Sequence, residues 1–247
     1  MHSAIKTALI GGTSLLESSR FKEAQRISVE TSFGEVPLLE TAGGLLFLQR
    51  HGLESYTQPH RINHHANIEA LQRSGVERIL SVGSVGSLKR KIIPGSFVVP
   101  DDFYAPSVNP SYYEDERGHR VAEFHPVWRR QILQLWEETG RPMPRDGGVY
   151  WQTRGPRFET RAEIKAHRPF AHIVGMTIAS ECILASEKEI PYAAICMADN
   201  YANGISPQRL SYDAFRTQVR DNQSGLVATL EDLLTAMMDD GMGQGGY

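Results

Sequence analysis

The fold is decided by the stretch between residues 147 and 204, which reads GGVYWQTRGPRFETRAE (147–163), HIVGMTIASECILASE (172–187) and YAAICMADNYANG (192–204). Three apolar, strand-like runs each end in a short polar segment: Phe158-Glu159-Thr160, Gly175-Met176-Thr177 and Ala198-Asp199-Asn200. In an open α/β sheet, ligands bind in the crevice beyond the carboxyl ends of the strands. Glu159 and Asn200 are therefore predicted to face one pocket, where a carboxylate and a carboxamide can read one edge of a planar heterocycle.

The composition is typical of a globular enzyme with one domain. The chain has 247 residues, 40% of them hydrophobic and 22% charged, with a net charge of −3. This balance does not predict a nucleic-acid or membrane surface. The N-terminal apolar stretch is too short for a signal peptide, and no segment is long enough to span a bilayer, so a cytoplasmic enzyme is expected. Cys182 and Cys196 lie in apolar runs and are predicted to be small core residues.

Predicted strands and helices alternate along the chain. Strands are predicted over residues 7–12, 78–82 and 97–99, and a hairpin over residues 36–52 with its turn at Gly43-Gly44. Helices are predicted over residues 63–74 and 126–138, after a capping box at 160–163, and from Ser211 onward. This order predicts a single α/β domain over residues 1–247, with a twisted mixed β-sheet flanked by helices on both faces. Residues from about 239 to 247 are predicted to form a disordered tail.

Several small or polar residues at predicted strand ends are candidates for binding an anion. Thr13 follows two glycines, and a hydroxyl with free N–H groups can bind phosphate oxygens, although an ordinary turn has the same composition. Arg50 offers a planar fork of donors and His51 adds another, although solvated side chains are also common at strand ends. Residues 83–87 (GSVGS) are predicted to form a small-residue turn, for which a tight crossover of the sheet is an equally good explanation.

Phe158, Glu159 and Asn200 are candidates for binding a base. An aromatic face stacks on a flat ring, a carboxylate accepts from ring N–H groups, and a carboxamide both donates and accepts. Glu159 would also suit the first turn of a helix as an exposed charge, and Asn200 a turn at a strand end. The adjacent His64-His65 belong to no metal-binding pattern and are predicted to be structural or solvated. No nucleophile motif predicts covalent catalysis.

Seven segments, in their order along the chain, resemble the trimeric purine nucleoside phosphorylase and methylthioadenosine phosphorylase family. They are LIGGT, QRHG, NHHANIEAL, GSVGSLKRKIIPGSFVVPDDF, GPRFETRAE, VGMT and the run ending in ADN. The match as a whole runs from about residue 7 to about residue 213. The resemblance implies that Met176 contacts the ribose, that Phe158 stacks near the base, and that Asn200 and Glu159 read the purine. The phosphate ligands that it implies are Thr13, Arg50, His51, Gly83, Ser84 and Thr177.

The resemblance also implies partners and assembly. The substrates would be a purine nucleoside and inorganic phosphate, without nucleic acid, membrane, cofactor or metal. The assembly would be a homotrimer, in which His125 or a neighbour within residues 119–128 could cover the pocket of the adjacent subunit. Phosphate would attack C1′ while Asn200 stabilises the departing purine, so catalysis would rest on orientation and electrostatics.

Departures from the methylthioadenosine branch of this family indicate the base. That branch has acids where this chain has Asn200 and Ala202, so the resemblance places both residues in the substrate site. Phe158-Glu159-Thr160 and Asn200 instead resemble the inosine and guanosine phosphorylases. Glu159 would accept from N1–H, which exists only on a 6-oxopurine, and Asn200 would donate to O6 while contacting N7. Adenine would leave the carboxylate facing a lone pair, a mismatch that costs several kcal/mol, enough for ~10⁴-fold discrimination.

The 5′ end of the sugar provides a second indication. The 6-oxopurine branch holds the 5′-hydroxyl with a histidine, and residues 211–215 (SYDAF) contain none. Tyr212 and Phe215 share a helix face and could pack a methylthio group, although core packing would explain them equally well. The two indications together predict phosphorolysis of S-methyl-5′-thioinosine to hypoxanthine and 5-methylthioribose 1-phosphate.

Other functions stay open at this point. An inosine/guanosine phosphorylase, a methylthioadenosine phosphorylase that tolerates Asn200 and a nucleosidase that uses water are alternatives within enzymes. A nucleoside-binding protein without catalysis is the alternative outside enzymes, and the altered segment Val82-Gly83-Ser84 is its support. Two further departures concern the site: Arg154 replaces an acid of the family, and Ser55 replaces a histidine for which His60 could substitute.

Overall fold

The computed structural model describes residues 5–12, 15, 18–208 and 210–243. Eleven strands of one sheet lie within these residues: β1 (Thr7–Gly11), β2 (Gln25–Thr31), β3 (Gly34–Glu40), β4 (Leu46–Gln49), β5 (Arg78–Ser87), β6 (Phe97–Val99), β7 (Asp102–Tyr104), β8 (Arg145–Asp146), β9 (Val149–Gln152), β10 (Ile173–Gly175) and β11 (Tyr192–Tyr201). The α-helices of the same residues are α1 (Ser19–Lys22), α2 (His64–Arg73), α3 (Pro126–Glu138), α4 (Arg161–His167), α5 (Ile178–Glu187) and α6 (Tyr212–Gly243).

The sheet is mixed and is centred on β5. Its main path runs β2-β3-β4-β1-β5-β10-β9-β7, and β11 pairs with both β5 and β6. Strands β4, β1, β5 and β11 are parallel to their neighbours in this group, whereas β10 is antiparallel to β5. The carboxyl ends of the four parallel strands therefore meet at one edge, which is where an open α/β sheet places its ligands.

Helices cover both faces of the sheet. One core packs Ile68 of α2 and Cys182 of α5 against the sheet, and the other packs Trp128 of α3 and Leu230 of α6 against the opposite face. Neighbouring residues of β5 alternate between the two cores, because successive side chains of a strand point to opposite faces. The predicted fold class is confirmed. Cys182 and Cys196 are fully buried and unbridged, as predicted.

Local signals placed most of the predicted helices correctly. The Asn63 side chain caps α2 by accepting from the main-chain N–H of Ala66 at 3.1 Å, and Gly75 follows the helix with φ of +75°. Helix α3 has the predicted bounds. The capping box of α4 is formed by Thr160 and Glu163, each side chain accepting from the other residue's main-chain N–H.

The predicted turn over residues 83–87 is wrong, because β5 continues through Ser87. Parallel pairing with β11 extends along the segment and supplies the backbone hydrogen bonds that a turn would otherwise lack. Gly83 serves close packing instead. A Cβ atom at this position would lie 2.6 Å from Cδ1 of Ile178, so glycine lets the start of α5 approach the strand.

Strand β2 and helix α6 complete the comparison with the prediction. Strand β2 was not predicted, although Ile27 and Val29 alternate with polar residues along it in the pattern of a half-buried strand; it pairs antiparallel with β3. Helix α6 extends to Gly243, residues 244–247 lie outside the described residues, and the disorder predicted from about residue 239 stays a prediction. Buried Leu233, Leu234 and Met237 hold this helix on the sheet close to its end. Every helix in the described part of the chain is too short or too polar to cross a membrane.

Candidate functional site

The predicted site residues gather at the edge where the parallel strands end. Arg50 and His51 follow β4, and the main-chain N–H of Arg50 donates to the carbonyl of Gly11 at the end of β1 at 3.0 Å. Ser84 and Asn200 lie in the last halves of the paired strands β5 and β11. Thr13, the remaining residue predicted next to β1, lies outside the described residues.

Arg50 is buried and forms an internal ion pair. Its Nε donates to Oε1 of Glu181 at 2.7 Å, and its Nη2 donates to Oγ of Ser81 at 2.6 Å. Its Nη1 donates to the carbonyl of Val82 at 2.7 Å, and Glu181 also accepts from the Tyr192 hydroxyl at 2.7 Å. Burial opposes the charge on both partners, but their attraction prevails, so the pKa of Arg50 is raised and the pKa of Glu181 is lowered.

This pairing changes the role expected of Arg50. The alternative of a solvated side chain at a strand end is wrong for Arg50, because its side chain is only 3% exposed. Its positive charge is balanced by Glu181, and most of its donors serve the protein. Direct phosphate binding by Arg50 stays a prediction. In the structure, the hydrogen bonds of Arg50 connect the end of β4 with β5 and α5 beneath the site. Glu181, Ser81 and Tyr192 were not singled out from the sequence, since no local motif marks them.

His51 is half-buried and is held in one orientation. Its Nδ1 lies 2.8 Å from the main-chain carbonyl of Thr57, and its ring stacks on Tyr56 with a centroid distance of 4.9 Å. Nδ1 facing a carbonyl carries the proton of the neutral ring, which leaves Nε2 as an acceptor. Burial and the charge of Arg50 lower the pKa of His51 and favour this neutral form.

The strand that carries Gly83 and Ser84 sends them to opposite faces. Gly83 faces Ile178 of α5, as described above. The Ser84 hydroxyl is exposed and lies beside Asp199, whose carboxyl accepts from Nδ2 of Asn222 in α6 at 2.9 Å. Burial raises the pKa of Asp199, and the Ser84 and Asn222 hydrogen bonds counter it. Gly83 and Ser84 were both predicted to bind phosphate, and of this pair only Ser84 has a side chain that can form a hydrogen bond with it.

Thr177 is the N-cap residue that precedes α5, and its hydrogen bonds show how this end of the helix is supported. The main-chain N–H groups of Thr177 and Ile178 donate to the Tyr150 hydroxyl at 3.2 and 3.3 Å. The neighbouring Met176 packs against Gly155, where a Cβ atom would lie 2.5 Å from its sulfur. The predicted ribose contact therefore lies against the loop that follows β9.

Glu159 is buried at the end of that loop, with 6% of its surface exposed. Its Oε1 accepts from the Thr153 hydroxyl at 2.6 Å, and its main-chain carbonyl accepts from Nδ2 of Asn203 at 3.1 Å. Burial raises the pKa of Glu159. The alternative of an exposed charge in the first turn of α4 is wrong, because Thr160 is the N-cap and Glu163 occupies that turn.

Asn200 is half-buried near the end of β11. Its Nδ2 donates to the main-chain carbonyl of Tyr201 at 2.7 Å, which fixes the plane of the carboxamide. Ala202 is buried in a small core cluster with Trp151 and Val174. The observed role of Ala202 is packing, and its contact with substrate stays a prediction. Asn203, which links β11 to Glu159, was missed because a single asparagine after a strand resembles any turn residue.

The two residues predicted for the 5′ pocket differ in their surroundings. Phe215 packs edge-on against Phe158 with a centroid distance of 5.4 Å. Tyr212 is 61% exposed, so core packing is wrong as its explanation. His125, predicted to cover a neighbouring pocket, caps α3 within its own chain by accepting from the N–H of Trp128 at 3.1 Å. A cavity of about 540 Å³ bordered by residues 103–122 and the end of α5 contains none of the predicted site residues.

Comparison with known proteins identifies the family to which this fold belongs. A family model described as the phosphorylase superfamily matches residues 6–235. The chain belongs to the phosphorylase superfamily. The family resemblance predicted from the sequence is thereby confirmed.

Individual relatives cover most of the chain. A protein of Archaeoglobus fulgidus named probable 6-oxopurine nucleoside phosphorylase is 34% identical, covering 94% of this chain and 97% of its own length. A protein of Methanothermobacter thermautotrophicus named probable S-methyl-5′-thioinosine phosphorylase is 37% identical, covering 92% and 84%. The crystal structure of a variant adenosine/methylthioadenosine phosphorylase from Schistosoma mansoni with methylthioadenosine superposes with a TM-score of 0.81 at 25% identity, covering 97% and 93%.

Proposed function

We propose that this chain catalyses phosphorolysis of S-methyl-5′-thioinosine, producing hypoxanthine and 5-methylthioribose 1-phosphate. The observation that carries the proposal is the buried carboxyl group of Glu159, oriented by Thr153 in the loop that packs against Met176. A buried carboxyl group selects the base whose edge can pair with it, because leaving the buried group without a hydrogen bond costs more free energy than forming the bond contributes. Relatives named for 6-oxopurine nucleosides and for methylthioinosine support the same base class.

In this proposal Glu159 and Asn200 hold the purine. Thr153 occupies Oε1 of Glu159, so Oε2 accepts from N1–H of the 6-oxopurine. Asn200 uses its second N–H for O6 or N7, since its first donates to Tyr201. As the glycosidic bond loosens, negative charge develops on the base, and a fixed carboxamide stabilises it without reorganisation.

Phosphate is proposed to lie at the ends of β1, β4 and β5 and at the start of α5. His51 accepts a phosphate O–H through Nε2, and Thr13 and Thr177 donate to the anion. Ser84 donates as well, once phosphate replaces the Asp199 carboxyl as the acceptor of its hydroxyl. The N-terminus of α5 attracts the anion. Arg50 holds the surrounding strands in place through Glu181. Phosphate then attacks C1′ from the face opposite the base. Following the family resemblance, we propose a cytoplasmic homotrimer that uses no metal or cofactor.

The 5′ methylthio group is proposed to lie against Phe215 and Tyr212. Phe215 already contacts Phe158 and extends an apolar surface from the base towards the sugar. Cleavage of inosine is the second candidate, and the exposure of Tyr212 favours it, because an open surface can also accept a hydroxymethyl group.

Purine release from methylthioinosine, methylthioadenosine and inosine, each with and without phosphate, tests these assignments. Phosphate-dependent cleavage of methylthioinosine well above the other two is expected. A preference for inosine would reject the apolar 5′ pocket, and a preference for methylthioadenosine would reject the roles of Glu159 and Asn200. Equal rates of purine release with and without phosphate would identify a nucleosidase.

A further inference from the structure

Thr153 directly follows β9 and is fixed by the sheet. Its main-chain N–H donates to the carbonyl of Gly175 at 2.9 Å, which ties the residue to the end of β10. Its hydroxyl donates to Oε1 of Glu159 at 2.6 Å. The short distance and the fixed backbone make this a directed hydrogen bond between two half-buried or buried side chains.

Among the residues that the structure describes, Thr153 is the side chain that donates a hydrogen bond directly to the carboxyl group of Glu159. Arg157, in the same loop, makes two hydrogen bonds to Glu163 of α4 at 2.8 and 2.9 Å, so its charge is shared with that residue. Asn203, after β11, donates to the main chain of Glu159 and not to its carboxyl group. Glu163 and Arg157 act on Glu159 in opposite directions.

We propose that Thr153 is a positioning residue that selects the 6-oxopurine, by holding Glu159 as a carboxylate with its second oxygen turned to N1 of the base. This inference rests on the proposed function, in which Glu159 reads the purine. A carboxylate accepts from N1–H of a 6-oxopurine. A protonated carboxyl group instead donates, and it matches the bare N1 of a 6-aminopurine. The Thr153 hydroxyl therefore decides which base is complementary.

The opposing effects on Glu159 make this choice sensitive. Burial raises the pKa of Glu159, and hydrogen bonds from the Thr153 hydroxyl and from the main-chain N–H of Glu159 itself lower it. Thr153→Val keeps the shape of the side chain and removes the donor. The pKa then rises further, and the acidic limb of kcat/KM for methylthioinosine moves to higher pH, by about one unit for a hydrogen bond to a charged group.

The experiment compares Thr153→Val and Thr153→Ser with the wild type. We measure kcat/KM for methylthioinosine and methylthioadenosine between pH 5 and pH 9 at saturating phosphate. Thr153→Val is expected to lower the ratio of the two values by about tenfold at neutral pH and to shift the acidic limb upward. Thr153→Ser, which keeps the hydroxyl, is expected to retain the wild-type limb and most of the ratio.

Each result separates this inference from the proposed function. If the wild type prefers methylthioinosine and Thr153→Val changes neither the ratio of the two kcat/KM values nor the acidic limb, the role of Thr153 is rejected and the proposed function stands. A wild type that prefers methylthioadenosine overturns the proposed function and this inference with it. If Thr153→Val does not fold, Thr153→Ala takes its place. If Thr153→Ser keeps the wild-type kcat/KM ratio and acidic limb and Thr153→Ala does not, the role of the hydroxyl is supported. If the two variants behave alike, that role is rejected.

Discussion

At the scale of single residues, chemistry that looks alike in the sequence has different duties in the structure. Arg50 and Glu159 are both charged residues beside predicted strand ends, and both are buried. Arg50 has a buried counter-charge in Glu181, whereas the carboxyl group of Glu159 has a neutral hydroxyl. A balanced charge supports the fold, and a buried acid with a neutral partner is poised to respond to a ligand.

Removing Arg50 is expected to damage the fold before it affects phosphate binding. Arg50→Ala leaves Glu181 as a buried charge without its partner, so the free energy of unfolding should fall by about 3–5 kcal/mol. Urea denaturation measures this loss. The control is Arg26→Ala, because the Arg26–Glu54 pair is exposed on both sides and its loss should cost less than about 1 kcal/mol.

A double variant completes this test. Arg50→Met with Glu181→Gln removes both charges and should recover much of the stability lost in Arg50→Ala. The phosphate KM of the recovered protein then reports on binding. If Arg50→Ala is as stable as Arg26→Ala, the pair has no structural weight and the assignment of Arg50 to the fold is wrong.

At the scale of elements, helices were easier to predict than strands. Caps and glycines mark helix ends within a few residues, and those signals placed α2, α3 and α4. Strand ends depend on what pairs alongside, so β5 continued through a glycine-rich segment. Strand β2 was missed although its sequence alternates. Close packing of α5 on β5 explains the glycine that suggested a turn.

The contact between Gly83 and Ile178 can be tested by a double-mutant cycle. Gly83→Ala places a methyl group against Cδ1 of Ile178 and should lower the free energy of unfolding by about 1–3 kcal/mol. Ile178→Val removes that carbon, so the double variant should be more stable than the sum of the two single losses predicts. Thermal or urea denaturation of all four proteins gives the coupling.

Gly225 provides the matched control for this cycle. It lies inside α6, and a Cβ atom there meets nothing within 4 Å. Gly225→Ala should therefore stabilise the protein by up to about 1 kcal/mol through helix propensity. Strictly additive effects of Gly83→Ala and Ile178→Val would show that close packing is not the reason for glycine in β5.

At the scale of the whole molecule, the topology concentrates ionisable groups beneath the site. Arg50 and Glu181 are 131 residues apart in sequence, and His64 at the start of α2 lies close enough to both to feel their charges. Burial lowers the pKa of His64 to about 4, from an ordinary value of 6.5, and its Nδ1 has no hydrogen-bond partner within the described part of the chain. The folded protein therefore holds this histidine neutral.

The depressed pKa of His64 predicts a loss of stability in acid. The unfolded chain binds a proton near pH 6.5 and the folded chain only near pH 4, so stability is retained above 6.5 and falls across this window as the pH decreases. The full effect is about 3 kcal/mol. Urea denaturation of the wild type and of His64→Gln at several pH values between 4 and 7.5 should show a shallower dependence in the variant. Identical dependences would assign the acid sensitivity to other groups near His64 whose pKa values are lowered, such as Glu181 and His51.

By itself, the sequence determined the α/β class, the helix caps, the strand-end polar residues and the family, because these rest on local periodicity and on ordered motifs. Only the tertiary structure decided that Arg50 pairs with Glu181, that Thr153 holds Glu159, and that Gly83 lies within a strand. These outcomes depend on contacts between residues distant in the chain or on opposite sides of a loop. Burial and these contacts together shift the pKa values of the buried groups, and a local sequence pattern does not reveal such shifts.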